Sequence, residues 1–227
     1  MDLIVVAKEP VPGRVKTRLC PPRTPGEAAT LAAAALADTL AAATASGAAR
    51  VVLALDGRPG PWCPPGVAVV GQGDGPLDHR LAAAWAAATT GPALLVGMDT
   101  PQVTAADLDR AMANLAAEGA DAVLGPATDG GWWAIGLRRP DPRVFRGVPM
   151  SRSDTGDRQR ARLRALRLRT HLLPTRTDVD TWPDALAVAA TAPAGRFAAA
   201  VRTLGGAGAV AAAGAGAPVG TAAGAPA

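Results

Sequence analysis

Lysine is almost absent from this 227-residue chain: of its 23 basic residues only Lys8 and Lys16 are lysines. Where one residue type is so scarce, two in a single loop are a signal. Aromatic residues are also sparse, with no tyrosine, two phenylalanines and five tryptophans. That deficit argues against a protein that stacks nucleic-acid bases, and it leaves a core to be built from Leu, Val and Ala. The two cysteines, Cys20 and Cys63, lie far apart with no histidine near them. Neither a zinc site nor a disulfide framework is indicated, and ordinary thiols in a reducing compartment are expected. His79 and His171, with no paired Ser or Cys nucleophile motif, make a hydrolytic triad a poor reading. The uncharged end from Gly205 to Ala227 is mostly Gly and Ala, interrupted by Pro218 and Pro226. It reads as a disordered tail rather than a membrane span. The first apolar run is short and is followed by charge instead of a small-residue cleavage site, so no signal peptide is expected and a cytoplasmic location is.

What is present begins at once. An apolar strand, Leu3-Ile4-Val5-Val6-Ala7, runs into Lys8-Glu9-Pro10-Val11-Pro12-Gly13-Arg14-Val15-Lys16-Thr17-Arg18-Leu19. Lys8, Arg14, Lys16 and Arg18 thus fall within eleven residues at the end of a buried strand, the edge where open α/β folds bind ligands. The prolines stiffen the loop and Gly13 lets the backbone bend, so the four cations are candidates to converge on a polyanion such as a nucleotide's phosphates. The net charge of +4 favours anionic ligands. A Walker loop is excluded because Val15, not Gly, precedes Lys16-Thr17, and a dinucleotide fingerprint is excluded because the loop has a single glycine. A solvated basic turn is the plain alternative.

The remainder alternates helix and strand. Thr24-Pro25-Gly26-Glu27 is a capping box with proline at the first helical position, and the helix it opens runs to about Ala45. Strands are read at Arg50 to Asp56, Val67 to Val70, Pro92 to Gly97, Asp121 to Gly125, Trp132 to Leu137 and Thr170 to Leu173. Helices are read at about Pro76 to Ala88, Thr104 to Glu118, Arg152 to Arg169 and from Thr181 onward. Continuous apolar strands alternating with helices predict an α/β domain with a mostly parallel sheet buried on both faces. One domain, residues 1–204, followed by the tail 205–227, is the economical division.

Acidic residues stand at three strand ends. Asp99 follows the most hydrophobic strand in Gly97-Met98-Asp99-Thr100-Pro101; Asp129 lies in Gly125-Pro126-Ala127-Thr128-Asp129-Gly130-Gly131; Asp178 and Asp180 lie in Thr177-Asp178-Val179-Asp180-Thr181. Carboxylates from separate loops of one crevice suit a hard divalent cation whose other ligands are phosphate oxygens and water. Each also has a structural reading: Asp99 as a helix cap, Asp129 as a hairpin turn residue, Asp178 or Asp180 as a cap or surface residue. Trp132 and Trp133 alternate on one strand, so one belongs to the core and the other is placed to wall the crevice.

These motifs in this order resemble the bacterial glycosyltransferase-A-like proteins of the uncharacterised group 2064, related to the phospholactate and molybdopterin guanylyltransferases. The segment Ala7 to Leu19 is the most specific match. Gln72 to Leu81, Gly97 to Pro101, Gly125 to Gly136 and Asp178 to Asp184 follow, and the likeness covers about residues 1 to 195. The tryptophan pair replaces a usual tyrosine pair, Asp78 and His79 replace a usual glycine and acid, and the segment from Arg152 is unusually arginine-rich.

The resemblance implies a Rossmann-like, three-layer nucleotide-diphospho-sugar transferase fold. It implies that Lys8, Gly13, Arg14, Lys16, Arg18 and Gly73 hold the nucleotide and that Asp99, with Asp180 as a second contact, holds Mg²⁺ or Mn²⁺. Lys16 and Asp129 are the expected catalytic residues. The implied partners are a nucleotide-sugar or nucleoside triphosphate and a small-molecule acceptor, with no nucleic acid. Three functions follow: a glycosyltransferase first, a nucleotidyltransferase joining a nucleoside monophosphate to a phosphorylated acceptor second, and a catalytically silent nucleotide-binding module third.

Overall fold

The computed structural model describes residues 1–88 and 91–214, with side chains to residue 206. Its strands are β1 (Asp2–Lys8), β2 (Arg50–Asp56), β3 (Ala68–Gly71), β4 (Ala93–Gly97), β5 (Ala122–Pro126), β6 (Trp132–Leu137) and β7 (Thr170–Leu172). The helices are α1 (Pro25–Ala45), α2 (Leu77–Ala88), α3 (Ala105–Ala116), α4 (Thr155–Ala165), α5 (Trp182–Thr191) and α6 (Arg196–Gly214). The strands form one sheet in the order β3-β2-β1-β4-β6-β5-β7. Every pair is parallel except β4 with β6 and β5 with β6. The reversal at β6 has a simple cause: only residues 127–131 separate it from β5, enough for a hairpin and far too few for a crossover.

Alternation along the strands divides the core. From β1, Leu3, Val5 and Ala7 pack with Leu36 and Leu40 of α1 and Leu108 and Leu115 of α3. Ile4 faces the other way, toward Leu81 and Trp85 of α2, Phe145 and Leu163 of α4. The result is a three-layer α/β domain. The outer side of α1 contributes Leu31 and Ala35 to a third cluster with Val188 of α5 and Phe197 and Val201 of α6. This explains why α1 is long and apolar enough to pass for a membrane span: it is half buried, with apolar partners on two faces. Capping boxes at Thr24/Glu27, Thr104/Asp107 and Thr181/Asp184 start α1, α3 and α5, the first as the sequence predicts.

Two segments differ most from expectation. The arginine-rich helix begins at Thr155 rather than Arg152, because Ser151 is left-handed (φ 58°) and the Arg152 amide donates to Thr155 Oγ1, making residues 151–154 a turn. It ends where Arg167 turns left-handed (φ 57°). At the other end α6 continues to Gly214, so residues 205–214 of the expected tail extend a helix whose first turns are seated by Phe197, Ala198 and Val201; residues 215–227 lie outside the described residues.

An ion pair adds to the parallel ladder between the outer strand β7 and β5. Asp121 accepts from Arg169 Nε at 2.8 Å, from Nη2 at 3.2 Å and from the Arg169 amide at 3.0 Å. These bonds hold the Asp121 carboxyl well below the usual carboxylate range, at about 2. A depressed carboxylate contributes stability above its unfolded value near 3.8 and loses it as the pH falls toward about 2. Asp121→Asn should therefore cost about 1 kcal/mol at neutral pH in urea denaturation, and the gap between the two proteins should close on acidification from pH 4 to pH 2. An unchanged gap at low pH would show that the pair contributes through packing alone.

Candidate functional site

The carboxyl ends of β1 and β4, the β5–β6 turn and the loop after β7 surround a cleft of about 660 Å³. Lys8, Arg14, Lys16, Arg18, Asp99, Asp129, Asp178 and Asp180 all line it, so the structure gathers every charged residue expected of the site from segments up to 172 residues apart in the chain. Gly13 and Gly73 stand beside the cleft without lining it; their neighbours Arg14 and Gln72 do.

The convergence has identifiable causes. The loop after β7 is drawn alongside the end of β5: the Arg176 amide donates to the Pro126 carbonyl (3.1 Å), the Thr128 amide to the Arg176 carbonyl (3.0 Å), and Trp133 Nε1 to the Pro174 carbonyl (3.0 Å). The Val179 amide then donates to the Asp99 carbonyl at 2.9 Å, which ties that loop to the end of β4. From the opposite wall Lys16 reaches across. Its Nζ lies 2.6 Å from Asp99 Oδ1 and 3.8 Å from Asp180 Oδ1, and it donates to the Val179 carbonyl. Lys16 is held in a left-handed conformation (φ 49°) that costs a non-glycine residue of order 1 kcal/mol, and its side chain is only 9 % exposed. Arg18 Nη1 bonds Asp180 Oδ2 at 2.9 Å. No ion pair is formed by Lys8 or Arg14 among the described residues.

Asp129, Asp178 and Asp180 each place a carboxylate oxygen within 4.8 Å of the others. Asp178 is the inner member: its Oδ1 is buried with no hydrogen-bond partner. Burial first, then the Asp129 charge and more weakly the Asp180 charge, push its carboxyl up to about 6, against the opposing pull of Lys16. Asp129 also serves the turn it sits in, where its Oδ1 accepts from the Gly131 amide at 2.7 Å. Gly130 (φ 88°) is packed so closely that a Cβ there would lie 1.9 Å from the Ser153 carbonyl oxygen, which fixes the β5–β6 turn against the loop before α4. The metal set read from sequence was Asp99 with Asp180. Asp180 lies in the cluster with Asp129 and Asp178, and Asp99, which lines the same cleft, lies against Lys16.

Sequence reasoning singled out Gly73 in its segment and passed over Gln72 and Arg80. Buried Gln72 donates through Nε2 to the Ala7 (2.7 Å) and Ala54 (2.9 Å) carbonyls, and its Oε1 accepts from Arg80 Nη2 at 2.5 Å. Arg80 Nη1 also lies 3.2 Å from Asp56, so a fifth cation is braced on the cleft wall. The signal was an eight-residue spacing that carries Arg80 into the first turn of α2, visible only once β3 and α2 are placed. Of the tryptophans, Trp133 is buried in the core and partly exposed Trp132 forms cleft wall backed by Phe145, with ring centroids 6.3 Å apart. His79 and His171 do not line the cleft.

Residues 28–152 match the family described as an uncharacterised protein conserved in bacteria, DUF2064. The chain belongs to this family. Among curated proteins none matches the sequence. Among solved structures, a protein of Desulfovibrio desulfuricans G20 assigned to the nucleotide-diphospho-sugar transferases is 26 % identical, with a TM-score of 0.79 over 89 % of this chain and 94 % of that one. A nucleotidyl transferase of Methanothermobacter thermautotroptrophicus is 16 % identical, with a TM-score of 0.55 over 83 % of this chain and 95 % of that one. A CMP:2-keto-3-deoxy-manno-octonic acid synthetase solved with CTP is 12 % identical, with a TM-score of 0.53 over 84 % and 98 %. The last two share the fold, and the architecture is that of nucleotide-using transferases.

The elevated Asp178 has a consequence for stability. Its folded value near 6 lies above the ordinary 3.8, so the folded protein binds the proton more tightly than the unfolded chain. Stability is therefore greatest at low pH for this group and is lost as pH rises through 6. Asp178→Asn should raise the metal-free protein's stability at pH 7.5 by about 1 kcal/mol, a few degrees in Tm, and give no gain at pH 4. A fall in Tm at pH 7.5 in scanning calorimetry would contradict this reading.

Proposed function

We propose that the chain is a divalent-metal-dependent glycosyltransferase that takes a sugar from a nucleotide-sugar donor bound in the 660 Å³ cleft. The observation that carries this reading is the meeting, at one strand-end crevice, of a cationic first loop with a three-carboxylate cluster. The 26 % identical nucleotide-diphospho-sugar transferase relative supports it.

Lys8 and Arg14, free of carboxylate partners among the described residues, are the first contacts for the donor's phosphates, with Arg18 exposed beside Asp180 and the Lys16 side chain buried against Asp99. The carboxylate cluster fits a hard cation such as Mg²⁺ or Mn²⁺: all its donors are oxygens, and Asp178 Oδ1 is buried and unsatisfied. Asp178 and Asp180 would hold the ion, with Asp129 beside it. When bound, such an ion neutralises charge on the departing diphosphate. The chain's own cations do the same work: guanidinium and ammonium groups aimed at oxygens that gain charge lower the barrier without a covalent enzyme intermediate. A bond forms between an acceptor oxygen and the sugar's anomeric carbon, the bond from that carbon to the diphosphate breaks, and the electron pair leaves with the nucleoside diphosphate. Asp129, the exposed carboxylate of the three, takes the acceptor's proton. Asp99 has a different task, fixing Lys16 in its strained conformation.

A second reading, nucleotidyl transfer, draws on the surplus of charge. Lys8, Arg14, Lys16, Arg18, Arg80 and Arg152 line the cleft against Asp99, Asp129, Asp178 and Asp180, a balance suited to a triphosphate. Phosphorus NMR on reactions containing Mn²⁺ and UDP-glucose, GDP-mannose, GTP or CTP separates the two. Release of nucleoside diphosphate from a sugar nucleotide is the expected outcome; consumption of a triphosphate alone, with pyrophosphate released, transfers the assignment to the second reading. Binding of a nucleotide without turnover of any would favour the silent module. Lys16→Ala should lower kcat/KM by about 10²- to 10³-fold, and a variant with wild-type turnover would remove Lys16 from the mechanism.

A further inference from the structure

The four cations of the first loop divide into two kinds. Lys8 and Arg14 make no ion pair among the described residues, whereas Lys16 and Arg18 are both engaged by carboxylates of the opposite wall. Those two differ again. Lys16 has Asp99, the Val179 carbonyl and Asp180 around its ammonium, a strained backbone and a side chain that is 9 % exposed. Arg18 has one contact, the 2.9 Å bond to Asp180 Oδ2, and its side chain is 70 % exposed. Lys16 is a fixed element of the site; Arg18 is held by a single exchangeable bond.

Asp180 is claimed twice. It is one of the three clustered carboxylates, and it is also the partner of Arg18. A positive charge on one oxygen of a carboxylate disfavours a dication on the other, because the two cations repel at a few ångströms. Asp180 already adds to the repulsion that raises the neighbouring Asp178, and Arg18 is the cation in closest contact with Asp180. Arg18 therefore acts as a second counter-charge for the acidic cluster, beside the more distant Lys16 ammonium.

We propose that Arg18 is a positioning residue that changes partners, leaving Asp180 for the nucleotide's phosphates as the complex forms, so that it couples metal binding to nucleotide binding. The proposal rests on the nucleotide-transferase reading of this cleft. In the ligand-free protein Arg18 neutralises Asp180 and weakens its hold on a cation. When phosphates enter beside Lys8 and Arg14 they offer Arg18 a stronger multidentate acceptor, Asp180 is released to the cation, and each ligand tightens the other by the same factor.

Mn²⁺ titrated calorimetrically into wild type, Arg18→Gln and Arg18→Lys, first without and then with inorganic pyrophosphate, tests this. Without pyrophosphate, Arg18→Gln should bind Mn²⁺ about tenfold more tightly than wild type, and Arg18→Lys, which keeps the charge, should match wild type. At saturating Mn²⁺, Arg18→Gln should bind pyrophosphate more weakly. A merely structural salt bridge would leave Mn²⁺ affinity unchanged or lower it on removal, and either result for Arg18→Gln overturns the proposal, as does absence of Mn²⁺ binding from all three proteins. If pyrophosphate binds none of them, the nucleotide reading of the cleft fails, while the pyrophosphate-free arm still decides whether Arg18 opposes the cation.

Discussion

One ammonium group organises the site. Lys16 Nζ stands between the Asp99 carboxylate, the Val179 carbonyl and Asp180, and so joins the first loop to the end of β4 and to the loop after β7. The left-handed backbone at Lys16, which starts the turn Thr17–Leu19 and accepts from the Leu19 amide, points a side chain held by these acceptors into the cleft. The scarcity of lysine sharpens the point. An arginine at this position would bring a broad planar fork where the structure uses a compact charge with donors in several directions. In a chain that otherwise uses arginine almost without exception, lysine appears where the geometry rewards it.

The fold supplies what Lys16 connects. Parallel β1, β2 and β4 end at one edge, so loops remote in sequence open onto one crevice. Antiparallel β6 folds back beside β4 and carries Trp132 and Trp133 to the same edge, with Asp129 at the hairpin. The loop after β7 lies along the end of β5 through the Arg176 backbone bonds, which delivers Asp178 and Asp180. Every acidic residue of the site thus arrives by main-chain constraint, and the side chains then meet the consequence: three carboxylates closer together than their charges favour.

Much of this was legible in the residues. Alternation of apolar strands with capped helices is a local property, and capping at Thr24, Thr104 and Thr181 could be read directly because each box lies within four residues. The cationic loop and the acidic strand ends were legible for the same reason, and the motif order gave the family. What could not be read was pairing across the crevice. Asp99 and Asp180 look alike as acids after strands, but only the tertiary arrangement puts one 2.6 Å from Lys16 and the other among three clustered carboxylates. Gln72 and Arg80 escaped notice because an uncharged glutamine at a strand end carries no signal until its amide is seen joining the Ala7 and Ala54 carbonyls. The late start of α4 was hidden too, since Ser151 and the Thr155 hydroxyl make a turn that arginine-rich periodicity does not report.

The electrostatic state of the cleft follows from these placements. Opposite charges gathered before any ligand is present neutralise one another in pairs, and the pairs are unequal. The Lys16 ammonium is buried against a partly exposed Asp99, while the Arg18 guanidinium is exposed and its contact with Asp180 contributes little to stability because water and salt screen it. Asp178 is left without a cation of its own, raised by burial and by its acidic neighbours, with one oxygen unsatisfied. A protein selected only for stability would have replaced such a carboxylate with a neutral amide. Its presence at the meeting point of three loops, opposite the two unpaired cations Lys8 and Arg14, gives the cleft an asymmetry suited to a ligand that brings both signs of charge: phosphates for one wall and a cation for the other.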